Sequence, residues 1–273
     1  MKLNVDEKVK PMPRVAINGL GRIGKLALKP LLERGAKIAW INDAVGDPEM
    51  HAHLLEFDTV HGRWKADFSY DADSLTIDGT RLPFIGTRDI SELPLDGIDV
   101  VIDCTGVFKT EAKIAPYFDA GVKKVVVSAP VKDGNAANIV YGVNEGIYDP
   151  DHHRIVTAAS CTTNCLAPVV KVIHENLTIK HGSITTIHDV TNTQTIVDRP
   201  AKDLRRARSA LNSLIPTTTG SATAITLISP ELTGRLNGPS VRLPLLNATL
   251  EDREFEVGRA TTAQVHDSLL HER

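Results

Sequence analysis

A glycine-rich turn between a predicted strand and a predicted helix constrains the fold of this chain more than any other feature. The strand is Arg14–Asn18, the helix is Arg22–Arg34, and the turn contains Gly19, Gly21 and Gly24 in a G-x-G-x-x-G pattern. The first glycine permits a tight turn, the second lets a pyrophosphate approach the backbone, and the third lets the helix pack closely on the strand. The positive end of the helix dipole would face the phosphates. The pattern therefore predicts a dinucleotide-binding βα unit.

An acidic residue follows the second predicted strand, Lys37–Asn42, at the spacing that such a unit uses to bind a ribose. Asp43 lies 19 residues after Gly24. Its carboxylate would accept hydrogen bonds from both ribose hydroxyls and would repel a 2′-phosphate. The following residues, AVGDP, include no Lys or Arg to offset that repulsion. This pattern predicts NAD rather than NADP, and the alternative is an ordinary βα turn with a surface aspartate.

The rest of the first half alternates apolar runs with helical segments. Asp99–Thr105 and Lys124–Ser128 are apolar runs of strand length, and Thr110–Ala120 between them has a helical pattern. Such an alternation is typical of βαβ units that build a parallel sheet.

The second half has a different pattern. Ser183–His188 and Ser240–Leu246 are typical of half-buried strands, and Ala159–Asn176 predicts a helix. The polar stretch 189–220 has weak periodicity and many threonines, which predicts a long functional loop.

We therefore expect an α/β protein with a Rossmann-type dinucleotide-binding domain followed by an α+β catalytic domain. The predicted organisation is a flexible lead-in at 1–13, the nucleotide-binding domain at 14–160 and the second domain at 161–273.

Composition excludes several classes of function. The 273 residues carry 31 basic and 34 acidic side chains, so no bulk positive field draws the chain to nucleic acid or to an anionic membrane. No apolar stretch has the length of a membrane helix and the polar N-terminus has no apolar signal core, which predicts a cytoplasmic protein. The three cysteines, Cys104, Cys161 and Cys165, are too few for a disulfide framework or a four-cysteine zinc site, and we predict no metal.

Cys161 is the candidate nucleophile. An apolar strand, Ile155–Ala159, precedes it, and Ser160 is a suitable N-cap for the helix that follows. The helix N-terminus would stabilise the thiolate, which is the reactive form. The alternative for Cys161 is a buried structural cysteine, and we expect Cys165, one turn further along, to be a small buried core residue.

His188 is the candidate base among the ten histidines. It ends the strand Ser183–His188 just before an irregular loop, a position from which a side chain can project into a cleft. A Cys–His pair would deprotonate the thiol and move protons during the reaction.

The chain resembles the glyceraldehyde-3-phosphate dehydrogenase family in five motifs: INGLGRIG, DTVHGRW, SAPVKD, SCTTNC and PTTTG. The resemblance extends from about Arg14 to the C-terminus. It implies an NAD-dependent, phosphorylating oxidation of glyceraldehyde 3-phosphate, a reaction of glycolysis. In it, Cys161 forms a thiohemiacetal and then a thioester, which inorganic phosphate cleaves to an acyl phosphate. His188 would activate the thiol and act as the general base.

The same resemblance implies sites for anions and for the cofactor. Thr191 and Arg242 match the site for the substrate's own phosphate, and a second set matches the site for the attacking phosphate: Ser160, Thr162, Thr219 and Gly220. The cofactor contacts implied are the three glycines together with Asn18, Arg22, Ile23, Asp43, Arg88, Thr105 and Ser128.

Partners follow from the resemblance as well. The basic run Lys202–Arg208 could be a solvated helix face or a nucleic-acid patch, but in the family it lies at a subunit interface, which implies a homotetramer. The segment from Thr186 to Ile228 looks closest to a branch found in arsenate-resistant bacteria, where arsenate replaces phosphate and an acyl arsenate forms.

Other functions stay open at this point. Erythrose-4-phosphate dehydrogenase shares the Cys–His chemistry but usually lacks the TTTG loop, and aspartate-semialdehyde dehydrogenase is disfavoured by the combination of SCTTNC with TTTG. A non-catalytic NAD- or RNA-binding fragment would need no nucleophile. Family chains also continue beyond the point where this one ends, and supply there an Asn that binds the nicotinamide, a nearby Tyr and a long covering helix. We therefore expect an incomplete second domain with impaired activity and assembly.

Overall fold

The computed structural model describes residues 12–218, 220 and 224–271, and the chain forms two compact units. The first unit runs to Ala137 and includes Asp149–Thr157. The second comprises Asn138–Tyr148 and the chain from Ala158 onward. The sequence predicts a single crossing after Ser160, whereas the chain of the structure passes between the units three times.

The larger sheet contains nine strands in the described part of the chain, in the order β10-β11-β9-β8-β1-β2-β7-β6-β5. The strand at its centre, β1, pairs in parallel with β2 on one side and β8 on the other. The bounds of the strands in this half are β1 Arg14–Asn18, β2 Lys37–Asn42, β3 Phe57–Asp58, β4 Gly62–Arg63, β5 Phe68–Asp71, β6 Ser74–Ile77, β7 Thr80–Ile85, β8 Val100–Asp103, β9 Lys124–Val127, β10 Ala137–Asn138 and β11 Ile155–Thr157.

The helices of the first unit are α1 Arg22–Glu33, α2 Pro48–Glu56 and α3 Glu111–Asp119 among the residues described. Four of the five residues of β1 are buried, as expected for a central strand between two parallel neighbours in a sheet that is covered on both faces. In register, Asn18 at the end of β1 lies between Asn42 of β2 and Asp103 of β8. The carboxyl ends of three strands therefore meet at the glycine-rich turn. This confirms the α/β class and the predicted strands Arg14–Asn18 and Lys37–Asn42.

The second unit contains a mixed sheet of five strands within the described residues, in the order β13-β15-β12-β14, with β16 also paired to β12. Its strands are β12 Ile179–His188, β13 Ile215–Thr217, β14 Leu236–Asn237, β15 Ser240–Arg242 and β16 Thr249–Val257, and its helices are α4 Cys161–Leu177 and α5 Ala263–His271. Leu166, Val170 and Ile173 of α4 pack in one cluster with Ile179 and Ile184 of β12. That packing fixes α4 on one face of the sheet.

Three predicted elements of the second unit have other bounds in the structure. The strand predicted at Ser240–Leu246 ends at Arg242, because Pro244 has no N–H for the ladder and Leu245 N–H turns back to the carbonyl of Leu243. The helix predicted from Ala159 begins at Cys161, since Ala159 has a φ of +54°. Strand β12 begins at Ile179, four residues before the predicted start at Ser183.

None of the helices in the described part of the chain combines the length and the apolar character needed to cross a membrane.

Candidate active site

The glycine-rich turn has the geometry that its spacing predicts. Gly19 has a φ of +96°, and a Cβ there would lie 2.7 Å from the backbone of Cys104 and Thr105. A Cβ on Gly24 would lie 1.8 Å from the carbonyl oxygen of Gly19. The first and third glycines are therefore required by the close approach of α1 to the ends of β1 and β8.

Gly21 differs from its two neighbours. It is the N-cap of α1, its φ of −65° suits any residue, and a Cβ there would meet nothing within 4 Å. Within the described residues, no contact requires a glycine at this position. The open space above the free N–H groups at the start of α1 is what a pyrophosphate group needs, so this turn fits a dinucleotide.

We expect opposite results from alanine at the two positions. Gly24→Ala forces apart two backbone segments and should lower the free energy of unfolding by about 1–3 kcal/mol. Gly21→Ala should keep the parent stability but weaken NAD binding, because its methyl group would occupy the space of the phosphates. Thermal unfolding and NAD titration of both variants check this. Equal loss of stability in the two would contradict the assignment of Gly21.

Asp43 is tied to the glycine-rich turn by its own carboxylate. Its Oδ2 accepts a hydrogen bond from the N–H of Leu20 at 2.7 Å, and its Oδ1 accepts one from the N–H of Val45 at 2.9 Å. Each oxygen keeps a second lone pair for a ribose hydroxyl. The carboxylate therefore has the position and acceptor capacity that the sequence predicts for a ribose contact.

Arg22 is held by a carboxylate that sequence reasoning missed. Its guanidinium donates to both oxygens of Asp58, and its NH2 lies 2.7 Å from Nδ1 of His61. The guanidinium and the N–H groups of Val60 and His61 hold the pKa of Asp58 well below its usual range. The DTVHGR segment therefore folds against the start of α1. Asp58 lies in the DTVHGRW motif, and that motif was the sequence signal from which its role could have been predicted.

The side chains of Asn18 and Thr105 form hydrogen bonds to other side chains of the protein. Asn18 donates to the Tyr117 hydroxyl at 2.5 Å, and Tyr117 donates to Asp103 at 2.8 Å. Thr105 donates from Oγ1 to the other oxygen of Asp103 at 2.8 Å. Burial raises the pKa of the Asp103 carboxyl. These contacts hold the ends of β1 and β8 in place. Tyr117 and Asp103, which sequence reasoning missed, complete that network.

The remaining predicted cofactor residues lie around the same turn or on neighbouring loops. Ile23 is exposed on the first turn of α1, with 52% of its surface accessible. Arg88 is exposed in the loop after β7, and Ser128 is partly buried beyond the end of β9, where its side chain hydrogen bonds with Cys104.

Cys161 is the first residue of α4 and is exposed. The Oγ of Ser160 accepts a hydrogen bond from the N–H of Thr163 at 3.1 Å, which confirms the predicted N-cap. Asn164 donates from its side chain to the carbonyls of Ala158 and Ser160 and so braces the turn before the thiol. Ala159 holds its positive φ within this braced turn, a conformation that costs free energy and is common at functional sites.

His188, at the end of β12, contacts Cys161 at the start of α4. The Sγ of Cys161 lies 3.6 Å from Nε2 of His188, which ends β12 and is 7% exposed. This contact lowers the pKa of the Cys161 thiol, and it raises the pKa of His188 against the opposing effects of burial and of Arg242. The geometry favours a thiolate beside an imidazolium.

Two further groups surround the other nitrogen of His188. Nδ1 lies 2.5 Å from Oδ1 of Asp189 and 2.7 Å from NH1 of Arg242. Arg242 is adjacent because β12 and β15 pair in register at these two residues. The same NH1 donates to the carbonyl of Asp189 at 2.9 Å. The structure therefore brings Arg242 to the Cys–His pair, and it adds Asp189, which sequence reasoning missed.

The prediction that Cys165 is a buried core residue is wrong. It is exposed, and Arg253 donates from NH2 to its Sγ at 3.1 Å and to its carbonyl at 3.2 Å. Residues four apart in a helix lie on the same face, and Cys161 is exposed too. Cys165 therefore lies on the exposed face of α4, with its sulfur towards β16, and not on the apolar face that packs in the core.

The residues that were predicted to bind the two phosphate groups differ in burial and in hydrogen-bond partners. Thr162 is buried, with its Oγ1 3.9 Å from the Cys161 sulfur. Thr191 is exposed, and its hydroxyl bonds to Thr193 and Gln194. Gly220 is exposed, and Thr219 lies outside the described residues. The Nε of Arg242 is buried and has no hydrogen-bond partner among the described residues, so this guanidinium keeps an unused donor.

Comparison with known proteins identifies the family. Residues 13–111 match the model for the glyceraldehyde 3-phosphate dehydrogenase NAD binding domain, and residues 160–272 match the model for the C-terminal domain of the same family. The chain is 56% identical over 264 residues to glyceraldehyde-3-phosphate dehydrogenase 3 of Nostoc sp., covering 94% of this chain and 77% of that protein. The chain belongs to the glyceraldehyde-3-phosphate dehydrogenase family.

More distant family members agree. The glyceraldehyde-3-phosphate dehydrogenase of Streptomyces coelicolor is 45% identical over 91% of this chain and 75% of its own length. Glyceraldehyde-3-phosphate dehydrogenase 1 of Bacillus subtilis is 42% identical over 95% of this chain and 78% of its own length. Membership of the family, with its NAD binding domain, confirms NAD as the cofactor and an NAD-dependent dehydrogenase as the class of enzyme.

Proposed function

We propose that this chain oxidises glyceraldehyde 3-phosphate to an acyl phosphate with NAD, through a thioester on Cys161. The observation that carries the proposal is the 3.6 Å contact between the Cys161 sulfur, at the N-terminus of α4, and Nε2 of His188. A binding module needs neither a nucleophile nor a base in that arrangement.

The proposed reaction begins with attack of the Cys161 thiolate on the aldehyde carbon. His188 gives its Nε2 proton to the aldehyde oxygen, so that a thiohemiacetal forms. His188, now neutral, accepts the hydroxyl proton as the carbon is oxidised. Bound NAD, held by the glycine-rich turn and Asp43, would supply the hydride acceptor for that oxidation. Phosphate then attacks the thioester carbon. The bond from that carbon to the Cys161 sulfur breaks, which releases the acyl phosphate and regenerates the Cys161 thiolate.

Hydroxyl and guanidinium donors support two anion sites in this reaction. We assign Arg242 and Thr191 to the phosphate that the substrate already carries, because Arg242 is next to His188 and has an unused donor at Nε. We assign Ser160, Thr162, Thr219 and Gly220 to the attacking phosphate. Thr162 supports this assignment, since its hydroxyl lies beside the sulfur on which the thioester forms.

Three finer points belong to the same proposal. The attacking anion is phosphate or its near-isostere arsenate, and the donors named above suit both. The functional form is a homotetramer in the cytoplasm. Assembly is supported by apolar side chains exposed around the basic run Lys202–Arg208: Leu204 at 81%, and Leu211 and Leu214 at 67% each.

The experiment is an NADH assay with glyceraldehyde 3-phosphate, run with phosphate and with arsenate. NADH formed only when one of the two anions is present supports the phosphorylating reaction, and the relative kcat/KM values identify the acceptor. Erythrose 4-phosphate as the substrate tests the closest alternative. NAD binding without NADH from any of these aldehydes would refute the proposal.

We expect His188→Asn to raise the midpoint pH of Cys161 alkylation and to slow turnover. The imidazolium favours the thiolate by charge, and its loss leaves only the helix N-terminus, so the midpoint should rise by about 1–3 units. The measurement is the rate of iodoacetamide reaction against pH. His181→Asn, an exposed position on the same strand, is the control and should match the parent. An unchanged profile in His188→Asn would contradict the pairing.

A further inference from the structure

We propose that Asp189 is a positioning residue: its carboxylate fixes the Nδ1–H tautomer of His188 and stabilises the imidazolium, so that Cys161 is held as the thiolate. This inference rests on the proposed function of the Cys161–His188 pair. Asp189 is not among the residues that the resemblance to the family assigns to the site.

The hydrogen-bond geometry selects the tautomer. Nδ1 hydrogen bonds to the carbonyl of Asp189 at 2.9 Å and makes an ion-pair contact with Oδ1 of the same residue at 2.5 Å. The competing group is the guanidinium of Arg242, which always donates. Its NH1 already donates to the Asp189 carbonyl at 2.9 Å. A proton on Nδ1 has an acceptor in the Asp189 carbonyl, whereas a bare Nδ1 would place its lone pair 2.5 Å from Oδ1 of Asp189, where two acceptors repel each other.

The charges around His188 show why a carboxylate matters there. The charged groups that face the ring are the Cys161 thiolate from α4, Arg242 from β15 and Glu251 from β16. Arg242 opposes protonation of His188, and Arg206 adds positive charge beside Arg242. Glu251 is bound to Arg253. Asp189, whose side chain is only 18% exposed, is the anion in direct contact with Nδ1 and offsets the Arg242 charge.

Asp189 is itself held in place. Its N–H donates to the carbonyl of Ala248 at 3.2 Å, and its carbonyl accepts from Arg242. These contacts fix the backbone of Asp189, and the carbonyl and carboxylate beside Nδ1 restrict rotation of the imidazole and keep Nε2 directed at the sulfur. Thiol, imidazole and carboxylate lie in contact in that order, as they do in a catalytic triad, in which the acid orients the base.

The test measures Cys161 alkylation against pH in a Cys165→Ser background, which removes the other exposed thiol. Cys104 interferes little, because burial raises its pKa to about 11. Asp189→Asn keeps the size of the side chain but removes the charge, and we expect the midpoint to rise by about 1 unit. Asp252→Asn is the matched control: it removes an exposed carboxylate of β16, opposite Thr185 in register, and should leave the midpoint unchanged.

A second arm separates positioning from a structural role. In a His188→Asn background, Asp189→Asn should cause no further shift, since the carboxylate acts only through the imidazole. The same shift with and without His188 would overturn the proposal, and so would a midpoint unchanged by Asp189→Asn alone. Should Asp189→Asn fail to fold, Asp189→Ser also removes the charge and carries the same expectations. Alkylation of Cys161 needs no substrate. A parent chain that forms no NADH would therefore refute the proposed function, while the alkylation test of Asp189 could still be interpreted.

Discussion

Replacing Cys161 with serine should lower NAD-dependent oxidation of the aldehyde by about 10⁴-fold or more, while NAD binding and stability stay close to those of the parent chain. A serine hydroxyl at the same position has the same helix N-terminus and the same histidine. It is too weakly acidic to supply an anion at neutral pH, so the covalent step fails. Steady-state NADH formation and NAD titration measure the two effects separately.

Cys165→Ser is the control for this prediction. Cys165 lies one turn further along α4 and is also exposed, but its sulfur contacts Arg253 instead of a histidine. We expect its replacement to leave turnover within about twofold, as is usual for an exposed position outside the chemistry. Similar losses in the two variants would show that the nucleophile has been assigned to the wrong thiol.

The two shifted pKa values of the pair predict how activity depends on pH. The pKa of Cys161 is lowered and that of His188 is raised, each mainly by the other. Activity should therefore rise as the thiolate forms and fall once His188 loses its proton.

The same two pKa shifts contribute to stability. The contribution of Cys161 is present above its unfolded pKa and is lost as the pH falls through the lower folded value. The contribution of His188 is present below its unfolded pKa and is lost as the pH rises through the higher folded value.

The sequence predicts those features of this protein that depend on local chemistry. The bounds of β1 and β2, the start of α1 and the Ser160 cap follow from apolar runs, glycine spacing and a capping residue. Each of these signals lies within a few residues of the element that it forms.

What the sequence could not predict depends on strand register between distant segments. Arg242 is far in the chain from His188 and Asp189, and it meets them only because β15 pairs with β12 at His188 and Arg242. A register shift of one residue would turn Arg242 to the other face of the sheet. Strand β16 gives no clear alternation either, because acidic residues occur on both of its faces. The alternation of the sequence therefore does not single out the pair Glu251 and Arg253.

That pair lies on the inward face of β16. Glu251 is opposite Thr186, and Arg253 is opposite the buried Ile184. Arg253 Nε lies 3.2 Å from Oε2 of Glu251, whose side chain has no exposed surface and whose Oε1 has no hydrogen-bond partner in the part of the chain that the structure describes. Burial raises the pKa of the Glu251 carboxyl. Removal of Arg253 would leave this carboxylate buried without its cation.

We expect Arg253→Met to lower the free energy of unfolding by about 3–5 kcal/mol at neutral pH, since a buried charge without its partner is strongly destabilising. The folded pKa of Glu251 lies above its unfolded value, so the cost is greatest above the folded pKa and shrinks as the pH falls towards the unfolded one. Denaturant unfolding at several pH values measures this dependence.

Adding Glu251→Met should restore most of the stability, because two apolar side chains of similar volume leave no buried charge. Lys180→Met removes an exposed ion pair to Glu256 between the same two strands and should change little. A double variant no more stable than Arg253→Met would show that the guanidinium acts through its contacts with Cys165 and not by neutralising Glu251.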